Sequence, residues 1–263
     1  MNEFFNPHPS THSKMLGVGH IILMVVCFTL VILIGFFLRN ISQRKRVIIY
    51  RVLAVITLSL DPIYLLWEFL VTGKINVATS LPLYFCSIFI LAVTVFAFTK
   101  QGSKINLIFR NYLLTMNLLA ACFGIFFLVY LNRYPMFHFV VVRSFFYHYL
   151  MVLVPCIIYF GDKPKLKLTD SFTFLIPAAF IFIPAFIVDL ACGYDYCYFN
   201  GGKGTPVSKF TGNMHPALLF FLIILFFLVA TNLLVNLPRF IAFKAKIKML
   251  ENKNKNQIKN NNI

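Results

Sequence analysis

The stretch MLGVGHIILMVVCFTLVILIGFFL, residues 15–38, decides the class of fold. It contains one histidine and no charged residue, and about 20 such apolar residues are enough for a helix to cross the hydrocarbon of a bilayer. The run is too long for the apolar region of a cleavable signal peptide, and no small-residue cleavage site follows it. We therefore predict that it forms the first permanent transmembrane helix.

Further apolar runs recur along the rest of the chain, which is 60% hydrophobic and only 12% charged. Its 32 phenylalanines and mean hydropathy of +0.82 are not typical of a soluble domain. The pattern predicts an all-α polytopic membrane protein, a bundle of seven transmembrane helices. The predicted spans are Met15–Leu38, Val47–Val71, Leu81–Phe98, Arg110–Leu131, Phe137–Phe160, Ser171–Leu190 and His215–Leu237.

The distribution of basic residues predicts the orientation of the bundle. Eighteen of the 24 Lys and Arg residues fall in the first, third and fifth loops and the tail, and six fall on the other side. Because basic loops stay in the cytoplasm, we expect the N-terminus outside and the C-terminus inside. The net charge of +16 therefore indicates topology and contact with anionic lipid head groups, and we expect no nucleic-acid partner.

Three regions follow from this arrangement. Residues 1–14 are an extracytoplasmic segment, residues 15–237 are the transmembrane domain, and residues 238–263 are a basic, Lys/Asn-rich cytoplasmic tail. The tail has too few apolar residues to pack, so we expect it to be disordered. The Phe-, Ile-, Lys- and Asn-rich composition suggests an AT-rich, bacterial genome, and hence a multi-pass protein of a bacterial plasma membrane.

Polar residues gather in one half of the predicted bundle. With a rise of 1.5 Å per residue, His20 and Cys86 lie roughly 8 Å and Asp61 and His148 roughly 15 Å below the outer surface. Ionisable groups in hydrocarbon are costly, so such a gathering indicates a functional site. The others at or near the outer rim are Glu68, Asp189 and His215.

A structural explanation competes with this one. Glu68, Asp189 and His215 lie near helix ends, where polar side chains reach water easily. Asp61 and His148 are too deep for that, but they could form hydrogen bonds inside the core. Asp61 also precedes Pro62, which predicts a kink whose freed carbonyls could bind nearby groups.

Cys86 and His148 form the candidate catalytic pair. Cys86 follows Pro82 near a predicted helix start, where the helix dipole favours a thiolate. A thiol within reach of an imidazole permits nucleophilic acyl transfer, and a carboxylate such as Asp61 or Glu68 could orient the ring. The alternative is that Cys86 only fills space, as most cysteines in membrane helices do.

The remaining cysteines carry little functional signal. Cys27, Cys122 and Cys156 have apolar surroundings in the sequence and read as core residues. Cys192 and Cys197 lie in an outer loop, where a disulfide is open to them but their spacing carries no metal signature. We expect neither a metal nor an organic cofactor.

Several short motifs resemble those of a known family. The segment LPLYFCS, residues 81–87, is similar to the LPLHLCS-type motif of the YwaF-like bacterial integral membrane proteins. Further similarities are His20, the segment FFYH at 145–148, and GYDY at 193–196 followed by GTP at 204–206. Two residues depart from the family pattern, which has His at Tyr84 and Asn at Asp195.

That bacterial family is similar to a eukaryotic transmembrane family of phospholipid acyltransferases with a Cys–His pair. More distantly, it resembles multi-span lipid-ester hydrolases that use Thr and His. The resemblance implies that Cys86 is the nucleophile, that His148 is the base, and that the partners are membrane lipids.

The leading hypothesis is therefore an acyltransferase or lipid-ester hydrolase acting in the outer leaflet. Supporting or substrate-binding residues would come from His20, Asp61, Glu68, Tyr84, Asp189, Asp195, Tyr196 and His215. The rival hypothesis is a non-catalytic transporter or binding protein for a small solute or protons, which a pair of Asp61 with Arg143 would fit. In a third, the polar groups only hold helices together.

Overall fold

The computed structural model describes residues 3–164, 166–202, 205, 208–236 and 244. Within these residues the chain is helical and contains no strand, and six helices are long and apolar enough to cross a membrane. They are Val18–Asn40, Gln43–Thr72, Lys104–Asn132, Phe139–Asp162, Leu175–Cys192 and Pro216–Asn236. The prediction of an all-α polytopic protein is confirmed. The predicted disordered tail lies outside the described residues, apart from Lys244.

Eight helices are the main elements of the described residues. They are α1 (Val18–Phe37), α2 (Gln43–Thr72), α3 (Ile88–Phe98), α4 (Lys104–Leu114), α5 (Met116–Phe126), α6 (Phe139–Asp162), α7 (Leu175–Cys192) and α8 (Pro216–Asn236). We call the end that carries the N-terminal segment the outer end, and the opposite end the inner end.

The third predicted span is shorter than expected. A 3₁₀ turn at Phe85–Ser87 leads into α3, and together they make an apolar helix over Phe85–Phe98. Fourteen helical residues reach about 21 Å, less than the roughly 30 Å of a hydrocarbon core. The predicted helix over 81–84 is wrong, because Leu83 N–H closes a tight turn onto Leu81 and Tyr84 is extended. The count of seven spans stays a prediction.

Polar residues determine where the fourth span begins and where it is interrupted. We predicted its start at Arg110, but the helix begins at Lys104, because the Ser103 hydroxyl caps the Asn106 N–H at 3.3 Å. The Asn106 amide also donates to the Phe96 carbonyl at the end of α3, at 2.8 Å. Thr115 has φ −122° and ψ −94°, which divides the span into α4 and α5. Polar groups thus shape this span by bonding to backbone.

Helix α6 lies at the centre of the bundle, where it packs against α1, α2, α4 and α5. Two-thirds of its most apolar stretch, 67%, is buried. Helix α3 packs between α2, α4 and α7, and its Ile88, Phe89, Ala92 and Val93 have no exposed surface. Both helices can therefore carry a site that is shielded from the surrounding lipid.

An ion pair joins α2 to α6 at the inner end. The Arg46 guanidinium donates to the Asp162 carboxylate and to the carbonyls of Arg39 at 3.3 Å and Ile41 at 3.1 Å. Arg46 is only 6% exposed, and Gly161 makes the space for it. A Cβ on Gly161 would lie 2.4 Å from the guanidinium carbon. Removing Asp162 would leave the buried Arg46 charge without its ion-pair partner, so the pair fixes this end of the two helices.

The N-terminal segment packs over the outer end instead of extending into solvent. The Phe4 carbonyl accepts from Phe139 N–H at 2.9 Å, and the Phe5 carbonyl accepts from the Trp67 indole at 3.3 Å. The fully buried His138 ring donates through Nε2 to the Asn6 carbonyl at 2.9 Å and accepts the Val140 N–H at Nδ1. Both ring nitrogens are thus used by the neutral imidazole.

Substituting Gly161→Ala should destabilise the inner end by about 2 kcal/mol, because the methyl group displaces the Arg46 guanidinium from a partly exposed partner. Thermal unfolding in detergent measures the effect. In an Arg46→Met background the same glycine substitution should cost much less, since the charge is gone. An equal cost in both backgrounds would show that Gly161 acts on something other than Arg46.

The outer end should lose stability as pH falls. Burial lowers the pKa of His138 from its ordinary value of 6.5, against weaker raising effects of the Asn6 carbonyl and Glu3. The unfolded chain therefore binds more protons, so stability is complete above about pH 6.5 and declines below it. His138→Gln should reduce the pH dependence of the unfolding temperature between about pH 7 and pH 5. The exposed His8 is the control, and an unchanged slope in His138→Gln would contradict the argument.

Candidate active site

Cys86 lies in the first turn of the α3 segment. It belongs to the 3₁₀ turn Phe85–Ser87, which Tyr84 opens in an extended conformation and whose Ser87 N–H bonds to the Tyr84 carbonyl at 2.9 Å. Pro82 precedes the helix instead of occupying its first position. The thiol therefore lies beside the backbone N–H groups that a helix start leaves unpaired.

The turn that holds Cys86 contacts α6 directly. The Tyr147 hydroxyl donates to the Cys86 carbonyl at 2.8 Å, and the Tyr147 ring meets Phe89 edge-on at 5.9 Å. The third and fifth predicted spans therefore face each other, and the residue that joins them immediately precedes His148.

His148 is buried and held in one tautomer. Its Nδ1 lies 2.7 Å from the Ser144 carbonyl, which only accepts, so Nδ1 carries the proton and Nε2 the lone pair. Nε2 lies against Gly124 of α5, where a Cβ would come within 2.0 Å of it. Among the described residues, neither a hydrogen bond of Nε2 nor one between Cys86 and His148 is found. The imidazole thus has a free base nitrogen, and this nitrogen lies against α5.

Asp61 forms an ion pair with Arg143 between α2 and α6. The guanidinium also donates through Nε to the Leu60 carbonyl at 3.1 Å, one residue before the Asp61-Pro62 step, and lies 4.7 Å from the Tyr64 ring centre. The Arg143 side chain is 16% exposed and the Asp61 side chain is 27% exposed. Cys86 interacts electrostatically with both members of the pair.

The idea that Asp61 or Glu68 orients the imidazole is wrong, because a backbone carbonyl does so and each carboxylate is engaged elsewhere. The Glu68 carboxylate accepts from the Ser80 hydroxyl at 2.6 Å and from Asn76 N–H at 3.3 Å. Glu68 therefore organises the loop that leads to Cys86.

His20 is fully buried and its hydrogen bonds are complete. Nδ1 accepts the Leu16 N–H and Nε2 donates to the Ile125 carbonyl, each at 3.0 Å. The ring also meets Phe145 edge-on at 5.5 Å. His20 therefore ties α1 to α5 and has no proton left to stabilise a substrate.

Tyr196 anchors the segment before Cys86. Its hydroxyl donates to the Val77 carbonyl and accepts the Leu81 N–H at 3.4 Å. Its ring meets that of Tyr84 edge-on at 5.0 Å. Tyr84 also interacts electrostatically with Cys86. Tyr84 and Tyr196 are thus brought to the site.

The other outer-loop residues hold that loop together. Asp189 Oδ1 accepts the Tyr196 N–H at 2.8 Å, while its buried Oδ2 has no partner among the described residues. Asp195 accepts the Asn200 N–H at 2.9 Å. His215 is exposed and accepts the Ala217 N–H at 3.2 Å, so it caps the start of α8 and does not join the site.

The two loop cysteines are free thiols. Cys197 is buried, and its Sγ donates to the Leu83 carbonyl at 3.1 Å. Burial raises the pKa of Cys197 well above its ordinary value, so the thiol keeps its proton. In the described part of the chain, no group of three or more His, Cys, Asp or Glu could hold a metal ion.

Sequence reasoning missed two residues that shape the site. Gly124 has no side chain and gave no signal beyond being a small residue in an apolar span, the kind that lets helices approach closely. Tyr147 adjoins His148, but only the structure shows that its hydroxyl reaches Cys86. Cavities of about 450 Å³ and 240 Å³ lie elsewhere, and neither is lined by Cys86 or His148.

Six long apolar helices, with a charged pair and a histidine enclosed between them, define a multi-pass helical membrane protein with a polar centre. The chain belongs to the TMEM164 family, whose family model matches residues 10–234. Comparison of this chain with the curated proteins and with the solved structures found no match.

Proposed function

We propose that this chain is a lipid acyltransferase or lipid-ester hydrolase of a bacterial plasma membrane, with Cys86 as nucleophile and His148 as base. The observation that carries the proposal is the 2.7 Å contact of His148 Nδ1 with the Ser144 carbonyl. It leaves the lone pair on Nε2, as a general base requires. The resemblance of LPLYFCS to the YwaF-like motif, and of that family to phospholipid acyltransferases, supports the same assignment.

The proposed reaction is a thiol-dependent acyl transfer. Nε2 takes the Cys86 proton as the sulfur attacks an ester carbonyl, and the imidazolium then returns that proton to the departing alkoxide. The resulting thioester passes its acyl group to a second alcohol or to water. Backbone N–H groups in the first turn of the α3 segment, with Tyr84 nearby, would stabilise the oxyanion.

Sulfur and Nε2 must come together during this cycle. Catalytic hydrogen bonds often tighten only when the substrate binds. Tyr147 keeps the Cys86 turn against α6, one residue before His148. An acyl chain would enter laterally from the outer leaflet, in a bundle of seven spans with its N-terminus outside and α3 as the third.

The rival function, recognition or transport of a small polar solute or protons, is favoured by one observation. The Asp61–Arg143 pair lies within the spans and yet keeps 27% and 16% side-chain exposure. An ion pair is costly in hydrocarbon. A pair within the spans whose side chains keep some exposed surface is therefore typical of a binding site or a conduction path. It would serve the enzyme equally well as the site for a polar head group.

Replacing Cys86 by Ala should abolish acyl-enzyme formation. The purified chain in nanodiscs is incubated with a long-chain acyl ester, and the hydroxylamine-sensitive adduct is measured by mass spectrometry. His148→Gln should slow adduct formation by about 10²- to 10⁴-fold.

Cys122→Ala is the matched control, since it removes another thiol from a membrane helix. An adduct that survives in Cys86→Ala would contradict the proposal. If neither Cys86→Ala nor His148→Gln changes solute or proton transport by the protein, and Asp61→Asn abolishes that transport, the transport function is favoured instead.

Gly124→Ala should slow acylation about 100-fold, because its methyl group would occupy the position of the imidazole and misplace the base. We expect the loss in kcat and not in KM. Gly19→Ala is the matched control, since its Cβ meets only the flexible end of Met136, at 2.9 Å. Equal effects of both substitutions on kcat would show that the Gly124 pocket does not position His148.

A further inference from the structure

A cavity of about 450 Å³ opens at the inner end of the bundle, between α2 and the turn that joins α3 to α4. It is formed by two arginines, two glutamines and two aliphatic residues and contains no acidic side chain. Its lining consists of Gln43, Arg44, Val47, Ile48, Arg51 and Gln101. The cavity is therefore rich in hydrogen-bond donors and positively charged.

Helix periodicity directs both arginines into this cavity. Arg44 and Arg51 are seven residues apart, two turns along one face of α2. The Arg51 Nε donates to the Ala97 carbonyl at 3.3 Å, and the guanidinium lies 5.6 Å from the Phe98 ring centre. These contacts hold the guanidinium in place. The described part of the chain shows no bond for its two terminal nitrogens or for Arg44, so both can bind an anion.

The same face of α2 continues as an apolar surface toward the centre of the bilayer. Ile48, Val52 and Val55 are 52%, 52% and 57% exposed. A charged cavity at the interface, directly above an exposed aliphatic strip, matches a molecule with an anionic head and apolar chains. A soluble anion has no apolar chain that would contact this aliphatic strip.

We propose that this cavity binds the head group of an anionic phospholipid in the inner leaflet. The phosphate lies between the Arg44 and Arg51 guanidinium groups, and the acyl chains follow the aliphatic strip. The Gln43 amide completes the hydrogen bonds of the phosphate, together with the second N–H of Gln101, whose amide nitrogen already donates to the Phe96 carbonyl at 3.1 Å. The site is separate from the proposed active site, since Arg51 lies ten residues, or about 15 Å, from Asp61 along α2.

Native mass spectrometry of the full chain tests the proposal. The protein is released from nanodiscs of phosphatidylcholine with phosphatidylglycerol, and the lipids retained on it are counted. We expect wild type to retain phosphatidylglycerol preferentially, and the double variant Arg44→Gln/Arg51→Gln to lose that preference by roughly 20-fold. Arg44→Gln alone, at an exposed position with no contact to lose, should lose part of it without any effect on folding.

The matched control is Lys45→Gln/Lys104→Gln, which removes the same charge from exposed positions of the inner end outside the cavity. It should keep the preference. An equal loss in this control would overturn the site, because it would show a general charge effect. Displacement of phosphatidylglycerol by inorganic phosphate would overturn the lipid assignment in favour of a soluble anion.

Discussion

Two ion pairs between α2 and α6 hold the structure in register. Near the inner end, Arg46 of α2 meets Asp162 of α6, and in the outer half Asp61 of α2 meets Arg143 of α6. The signs are reversed between the two ends, so both pairs form only when the helices run antiparallel in one register. Lipid cannot solvate an unpaired charge, so a shift along the helix axis would leave four charges without partners.

The rest of the candidate site depends on this register. With α6 fixed against α2, Tyr147 reaches the Cys86 carbonyl and His148 faces the space that Gly124 leaves on α5. The backbone carbonyl of Ser144 then selects the tautomer of the imidazole. The proposed chemistry therefore rests on backbone groups and a missing side chain as much as on the thiol and the imidazole themselves.

The two ends of the bundle differ in how they use polar groups. At the outer end Glu68, Asp189 and Tyr196 form hydrogen bonds that hold the loop segments on either side of them. At the inner end Arg44 and Arg51 stay open to the surface. The outer end thus uses its buried polar groups mainly to hold loop backbone, whereas the inner end also presents two open arginines, as expected if the second binds lipid head groups.

The sequence by itself determined that the chain is a helical membrane protein, because this follows from the length and position of its apolar runs. It also suggested Asp61 and Arg143 as a pair. The tertiary structure alone decided what the other polar groups do. His20 is satisfied by the carbonyl of Ile125, 105 residues away, and His148 is oriented by Ser144 and accommodated by Gly124. Every residue carries a backbone carbonyl and glycine carries no side chain. The sequence therefore cannot show which carbonyl a histidine will bind or which glycine will make room for it.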